Sequence, residues 1–242
     1  MIIFVSRQWS ELVQLKLNIK RLYVINTLKV VYMDTENKVI HEFDTHLMQD
    51  KKPSLYFNEE DEKELFSSDY PFTLLGALKK TEQNPKFHPE GNCWNHTMQV
   101  VDKAALYRGE SSAPEVFMWS ALLHDIGKPL KTKIKRGKIT AYDHDKVGEK
   151  LAADFLGFFK LEKNFIRNVC KMVRWHMQFL MVIKDLPFAD IKTMKEEVDL
   201  NEIALLSLCD RLGRGDITED LINEEKKNIQ FFLKKCRAYA KD

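Results

Sequence analysis

What the sequence lacks narrows it first. Its 242 residues carry 38 Lys plus Arg against 36 Asp plus Glu, a formal charge of +2, so no molecule-wide field exists to hold nucleic acid or an anionic membrane. Any basic surface has to be local. The longest internal apolar stretches, such as Val116 to Trp119 and Leu180 to Ile183, fall far short of the roughly 20 residues that cross a bilayer. Met1 to Val5 is apolar but has no basic leader and is about half the length of a secretory h-region, so a cytoplasmic protein is expected. Cys93, Cys170, Cys209 and Cys236 contain no C-x-x-C pair, which argues against a disulfide framework and against a thiolate zinc site. There is no internal repeat and no low-complexity tract.

What remains, at 44% apolar and 31% charged residues, is the composition of a globular protein with one full domain plus an appendage, or two small domains. Residues 1–60 read as a small, partly β appendage. Lys29 to Met33 and Lys38 to Phe43 are β-branched and aromatic runs joined by Asp34-Thr35-Glu36-Asn37, the chemistry of a hairpin turn. Leu12, Leu15, Leu17, Ile19 and Leu22 fit a helix and a strand equally well. Asp50-Lys51-Lys52-Pro53 reads as a linker, and the acidic Glu59 to Glu64 as the opening of the first helix of a main domain at 61–242, where negative side chains suit the helix dipole.

From there the pattern is mainly α. Ser112-Ala113-Pro114-Glu115 reads as a capping box with proline in the first turn, followed by Val116, Phe117, Trp119, Leu122 and Leu123 and stopped by Gly127 and Pro129. Further helices are expected at about Trp94 to Tyr107, Lys146 to Phe159, Asn164 to Met177 and Leu200 to Leu212. Lys133 to Lys135 and Lys138 to Tyr142 flank Arg136-Gly137 as a short hairpin.

Of seven histidines, four fall in or at the edges of four separate expected helices: His96, His124, His144 and His176. His176 shares a stripe with Ile166, Val169, Cys170 and Val173, so it points inward. Asp210 follows Ile203 and Leu206 on an inward face, where an ionised carboxylate is costly unless it is paired or bound to a cation. His124 and Asp125 are adjacent, leave the backbone about 100° apart, and can serve one ion or two neighbouring ions. Imidazoles with carboxylates suit Fe, Mn, Zn or Co, and facing helices that each contribute an inward ligand are a common way to build such a centre.

The ordered set His96, His124-Asp125, His144, His176 and Asp210 resembles the HD superfamily of metal-dependent phosphohydrolases, whose signature is H…HD…D, and most nearly the HD domain of bacterial tRNA nucleotidyltransferases. The blocks that carry the resemblance are His88-Pro89-Glu90-Gly91, Trp94-Asn95-His96-Thr97, Leu122 to Pro129, His144 to Gly148, Val173 to His176 and Asp210 to Gly215. Residues 1–60 contain no Gly-rich turn and no Asp-x-Asp pair, so CCA addition is not expected. No Gly-Tyr-Pro element is present, and Gly127-Lys128 stands where guanosine tetraphosphate hydrolases show Glu-Asp.

The resemblance implies an HD helical bundle in which His96, His124, Asp125 and Asp210 hold a first divalent ion (Fe, Mn, Zn, Co, Ni or Mg). Asp125 would bridge to a second ion held by His144 and His176. It also implies a catalytic role for Asp125 and Lys128 and phosphate contact by Lys128, Arg211 and Arg214. Lys128, Lys131, Lys133, Lys135, Arg136 and Lys138 put six cations in eleven residues with no acid, at the mouth of such a site, where anionic substrates would be drawn. The expected activity is phosphohydrolysis of a nucleotide or other small phosphorylated substrate. The alternatives are an HD-fold diiron oxygenase and a nucleotide- or RNA-binding module without turnover. Trp94, Trp119 and Trp175 are expected to pack in the core. His41, His46 and His88 fall outside the ligand pattern, His88 as a structural residue or a contact at the start of a helix.

Overall fold

A computed structural model describes residues 38–215 and 217–239. The chain divides into two compact units, 1–43 and 44–242, and helices dominate. Residues 38–49 (α1) are helical, so Lys38 to Phe43 is not the second strand of a hairpin; Lys29 to Met33 lies outside the described residues. The apolar positions there follow a helical spacing: Ile40, Phe43 and Leu47 are all buried, and Lys38 pairs with Glu42 one turn on at 3.8 Å. The acidic run Glu59 to Glu64 is also reassigned. It closes α2 (Ser54–Glu62) rather than opening a helix, with Pro53 at the N-cap, and the unfavourable charge at that end is offset by Lys63 on Glu59 and Glu60.

The expected central helices are present as α3 (Cys93–Tyr107), α4 (Pro114–Leu123), α5 (His144–Phe158), α6 (Lys163–Trp175) and α9 (Leu200–Leu212). Between α6 and α9 lie the shorter α7 (Gln178–Ile183) and α8 (Ile191–Glu197), and α10 (Glu219–Ala238) follows. The helix of Pro114 starts without the expected capping box. Ala113 occupies the N-cap, and the Ser112 hydroxyl and N–H instead donate to Glu202 on α9. That long-range bond satisfies the serine and ties α4 to α9.

α5 packs along α6, α4 packs against α3 and α6, and α3 and α10 both pack on α9. Trp119 sits in this core against Phe155 and Phe165, with ring centroids at 6.5 and 6.4 Å. Each described indole N–H meets a carboxylate or amide oxygen: Trp94 on Asn58, Trp119 on Asp44, Trp175 on Glu197. These rings are buried packing elements, as expected. All four cysteines are buried and free. β1 (Lys133–Lys135) and β2 (Lys138–Thr140) form the expected antiparallel hairpin, with Ile134 opposite Ile139. Among the described residues, no helix is long and apolar enough to cross a membrane.

Candidate metal centre

His124 caps the C-terminus of α4, and Asp125 follows in the turn to Lys128. His96 projects from α3, Asp210 from α9, His144 from the first turn of α5, and His176 caps α6. The fold brings all six side chains together, and all are buried. The His124 ring lies 5.4 Å from that of His96 and 5.5 Å from that of His176, centroid to centroid.

The four imidazoles are oriented alike. Nδ1 faces a backbone carbonyl in each: Gly213 for His96 at 3.0 Å, Ala121 for His124 at 2.8 Å, Ala141 for His144 at 2.6 Å and Val173 for His176 at 2.7 Å. A carbonyl only accepts, so each of these Nδ1 atoms donates, and in the neutral ring the Nε2 lone pair faces the centre. Histidine ligands are commonly held this way by the groups behind them.

Acceptors therefore crowd one another. His144 Nε2 and His176 Nε2 are 3.2 Å apart. His96 Nε2 stands 3.0 Å from Asp210 Oδ1. His124 Nε2 lies 3.2 Å from Asp125 Oδ2; this buried nitrogen has no hydrogen-bond partner among the described residues, and Oδ2 meets the Lys128 ammonium alone. Such contacts are tolerable only with a shared proton or a cation between them. The donor set therefore fits a divalent metal, and three clusters meet the proximity such a site needs: His96, His124 and Asp125; Asp125, His144 and His176; and, behind His96, His88 with Glu90 and His96.

The titration behaviour follows. Burial alone would raise the Asp125 carboxyl, but the charges of His124 and Lys128, with the close contacts of His124 and His144, hold it well below the usual range. Burial likewise opposes ionisation of Asp210, and Arg214 with His96 overrides it. Burial, then the like charges of His144 and His124, push His176 down to about 3, so it stays neutral and able to coordinate.

A cavity of about 350 Å³ opens onto this centre, lined by Asp125, His144, His176 and Asp210. Lys128, Arg211, Arg214 and Lys138 also line it. Lys128 Nζ is 2.6 Å from Asp125 Oδ2 and donates to Gln83 Oε1 at 2.5 Å. Arg214 donates to both oxygens of Asp210, at 2.8 and 2.9 Å. Arg211 is committed elsewhere: its Nε and Nη2 donate to the buried Glu225 of α10. Of the hairpin cations only Lys138 is among the residues lining this cavity; Lys133, Lys135 and Arg136, expected at its mouth, are exposed and are not part of the lining.

Sequence reasoning missed Gln83 and Glu90. The Glu90 side chain is fully buried, and its Oε1 lies 2.8 Å from His88 Nδ1 and 2.9 Å from His96 Nδ1. Burial opposes its ionisation, yet these two bonds bring it to about 2. The signal was a carboxylate six residues before His96, in a block matched only as a string. His88 takes the expected structural contact, but it also lines the cavity. His46 lies apart, bonded to Asp50 and stacked on Tyr56.

Residues 93–215, a little over half the chain, match the HD domain family. The chain belongs to the HD domain family. That match takes in all six clustered residues, and the family is one of metal-dependent phosphohydrolases. No curated protein matches the chain significantly.

Proposed function

We propose that this HD protein is a metal-dependent phosphohydrolase acting on a small phosphorylated substrate, with nucleotides the first class to test. The observation that carries this reading is the orientation of Asp125. Its Oδ2 faces His124 at 3.2 Å and His96 at 3.8 Å, while Oδ1 faces His144 at 3.4 Å and His176 at 3.8 Å. One carboxylate is thereby presented to two imidazole pairs. His96, His124, Asp125 and Asp210 would hold one ion, and Asp125, His144 and His176 a second. When bound, such ions polarise phosphoryl oxygens and lower the pKa of water enough to supply a nucleophile near neutral pH.

The chain's own groups do the rest. The four Nδ1 bonds fix the rings before any ligand arrives, so little reorganisation accompanies binding. Lys128, held by Gln83, and Arg214, held by Asp210, place fixed positive charge on the cavity wall where phosphoryl oxygens would sit. The exposed hairpin cations raise the local concentration of anions at the opening. This cationic wall favours phosphate chemistry over dioxygen chemistry at the same ligand set.

The test is a screen of phosphomonoesters and phosphodiesters, 2′,3′-cyclic nucleotides included, on protein loaded separately with Mn, Fe, Co, Ni, Zn and Mg. Phosphate or phosphomonoester release that disappears with chelator is expected. Dioxygen consumption without phosphate release would replace this reading with an oxygenase, and tight nucleotide binding without turnover under any metal would replace it with a binding module.

A further inference from the structure

The cavity is divided in character. Its floor is ionic, formed by the clustered histidines and carboxylates with Lys128 and Arg214, whereas Phe87, Ile139, Ala141, Tyr142, Met177 and Leu180 give the rest of its lining an apolar character. Phosphate recognition alone accounts for the floor and leaves the apolar part without a role. Two large aromatic side chains belong to that part: Phe87 and Tyr142 both line the cavity, yet they are 53% and 73% exposed. A single exposed aromatic is ordinary. Two on the rim of one ionic cavity, each next to or near a residue of the site, are harder to assign to packing. Phe87 directly precedes His88, and Tyr142 is two residues before His144.

We propose that Phe87 and Tyr142 are stacking surfaces that select phosphate esters carrying a planar ring system, a nucleobase being the biological instance. The inference rests on the phosphohydrolase reading for the placement of the phosphate on the floor. The ring then lies at the mouth, where an aromatic face supplies dispersion and excludes water without demanding a particular hydrogen-bond pattern. Selection at the rim is therefore for a flat ring and is tolerant of which base it is.

The test compares two uncleavable ligands, the methylenephosphonate isosteres of adenosine 5′-monophosphate and of ribose 5-phosphate, by calorimetry on the Mn-loaded full chain. They differ at C1′, where one carries adenine and the other a hydroxyl. The wild-type chain is expected to bind the adenine-bearing ligand on the order of tenfold or more tightly. The double variant Phe87→Leu/Tyr142→Leu, which keeps apolar bulk and changes only exposed positions, should bring that ratio to about one to three and leave the ribose ligand unaffected. A wild-type ratio near one, an unchanged ratio in the double variant, or no binding of either ligand overturns the proposal. Turnover of the parent phosphates is read separately. A base-dependent ratio without turnover sinks the hydrolase reading and keeps the stacking surface, and turnover without such a ratio does the reverse.

Discussion

On one side of Asp125, His96 and His124 share the Oδ2 edge with Asp210, and Glu90 lies behind His96. On the other, His144 and His176 face Oδ1 and each other, with no second carboxylate among the described residues. The first side adds a carboxylate of its own to the shared one; the second adds none. Cation affinity grows with the number of anionic ligands, so the two sides should differ in strength although both use imidazoles fixed at Nδ1. The first is built from the interlocked α3, α4 and α9, and the second from α5 and α6 on the cavity wall.

The largest effect should come from the residue both sides share. Asp125→Asn is expected to release every bound ion and lower turnover by more than about a hundredfold, read by elemental analysis of dialysed protein alongside the rate. Retention of one full equivalent would show that Asp125 does not serve both sides. The same change leaves the buried Lys128 ammonium without its nearest anion, so the chelator-treated variant should lose up to about 3 kcal/mol in urea unfolding.

Variants of one side at a time sharpen the asymmetry. His96→Ala should remove the more tightly held ion, whereas His176→Ala should keep it and weaken only the second, by at least about tenfold. Metal titration with competing chelators separates these outcomes, and equal losses from both variants would mean that the two sides are equivalent.

Gly127 joins the sides. A Cβ built there would sit 2.0 Å from the His144 carbonyl and 2.6 Å from the Gly148 nitrogen, atoms of backbone that cannot swing aside. Gly127→Ala should therefore push the start of α5 away from Asp125, costing about 1–3 kcal/mol and weakening the His144 side more than the His96 side. Urea unfolding and the same chelator titration measure both.

Much of this asymmetry was legible in the residues. The inward stripe that ends at His176 and the inward face of Asp210 follow from helical period alone, and the α3, α4, α6 and α9 boundaries lie within two residues of the structural ones. Lys38 to Phe43 misled because five or six residues of mixed apolar and polar character satisfy period 2 and period 3.6 alike; only the continuation to Leu47 separates them. Ser112 misled because its long-range partner, Glu202, lies 90 residues away. Glu90 and Gln83 escaped for a similar reason: a loop carboxylate and an amide acquire meaning only when the fold places them behind His96 and Lys128.

The smallest expected effect concerns acid and again divides the sides. In chelator-treated protein His176 is held down to about 3, chiefly by burial and then by the charges of His144 and His124, whereas an unfolded histidine titrates near 6.5. Between those values the unfolded chain binds a proton that the folded chain refuses, so stability falls as pH falls from about 6.5 toward 3. His96 has the opposite sign. Burial opposes its charge, but Asp210 and Glu90 raise it above the ordinary value, so its contribution is complete below about 6.5 and is lost as pH rises through the folded value. Below 6.5 the His96 contribution is constant and the slope belongs to His176 together with His88, which burial also lowers, joined below about 4.5 by the depressed carboxyls, Glu90 at about 2 among them, so only the part of the slope that His176→Asn removes is assigned to His176. Urea midpoints at pH 6.5, 5.5 and 4.5 should therefore decline in the wild-type chain and decline less in His176→Asn. Identical slopes in the two proteins would show that the His144 side carries no suppressed proton, and with that the electrostatic distinction between the two sides would fail.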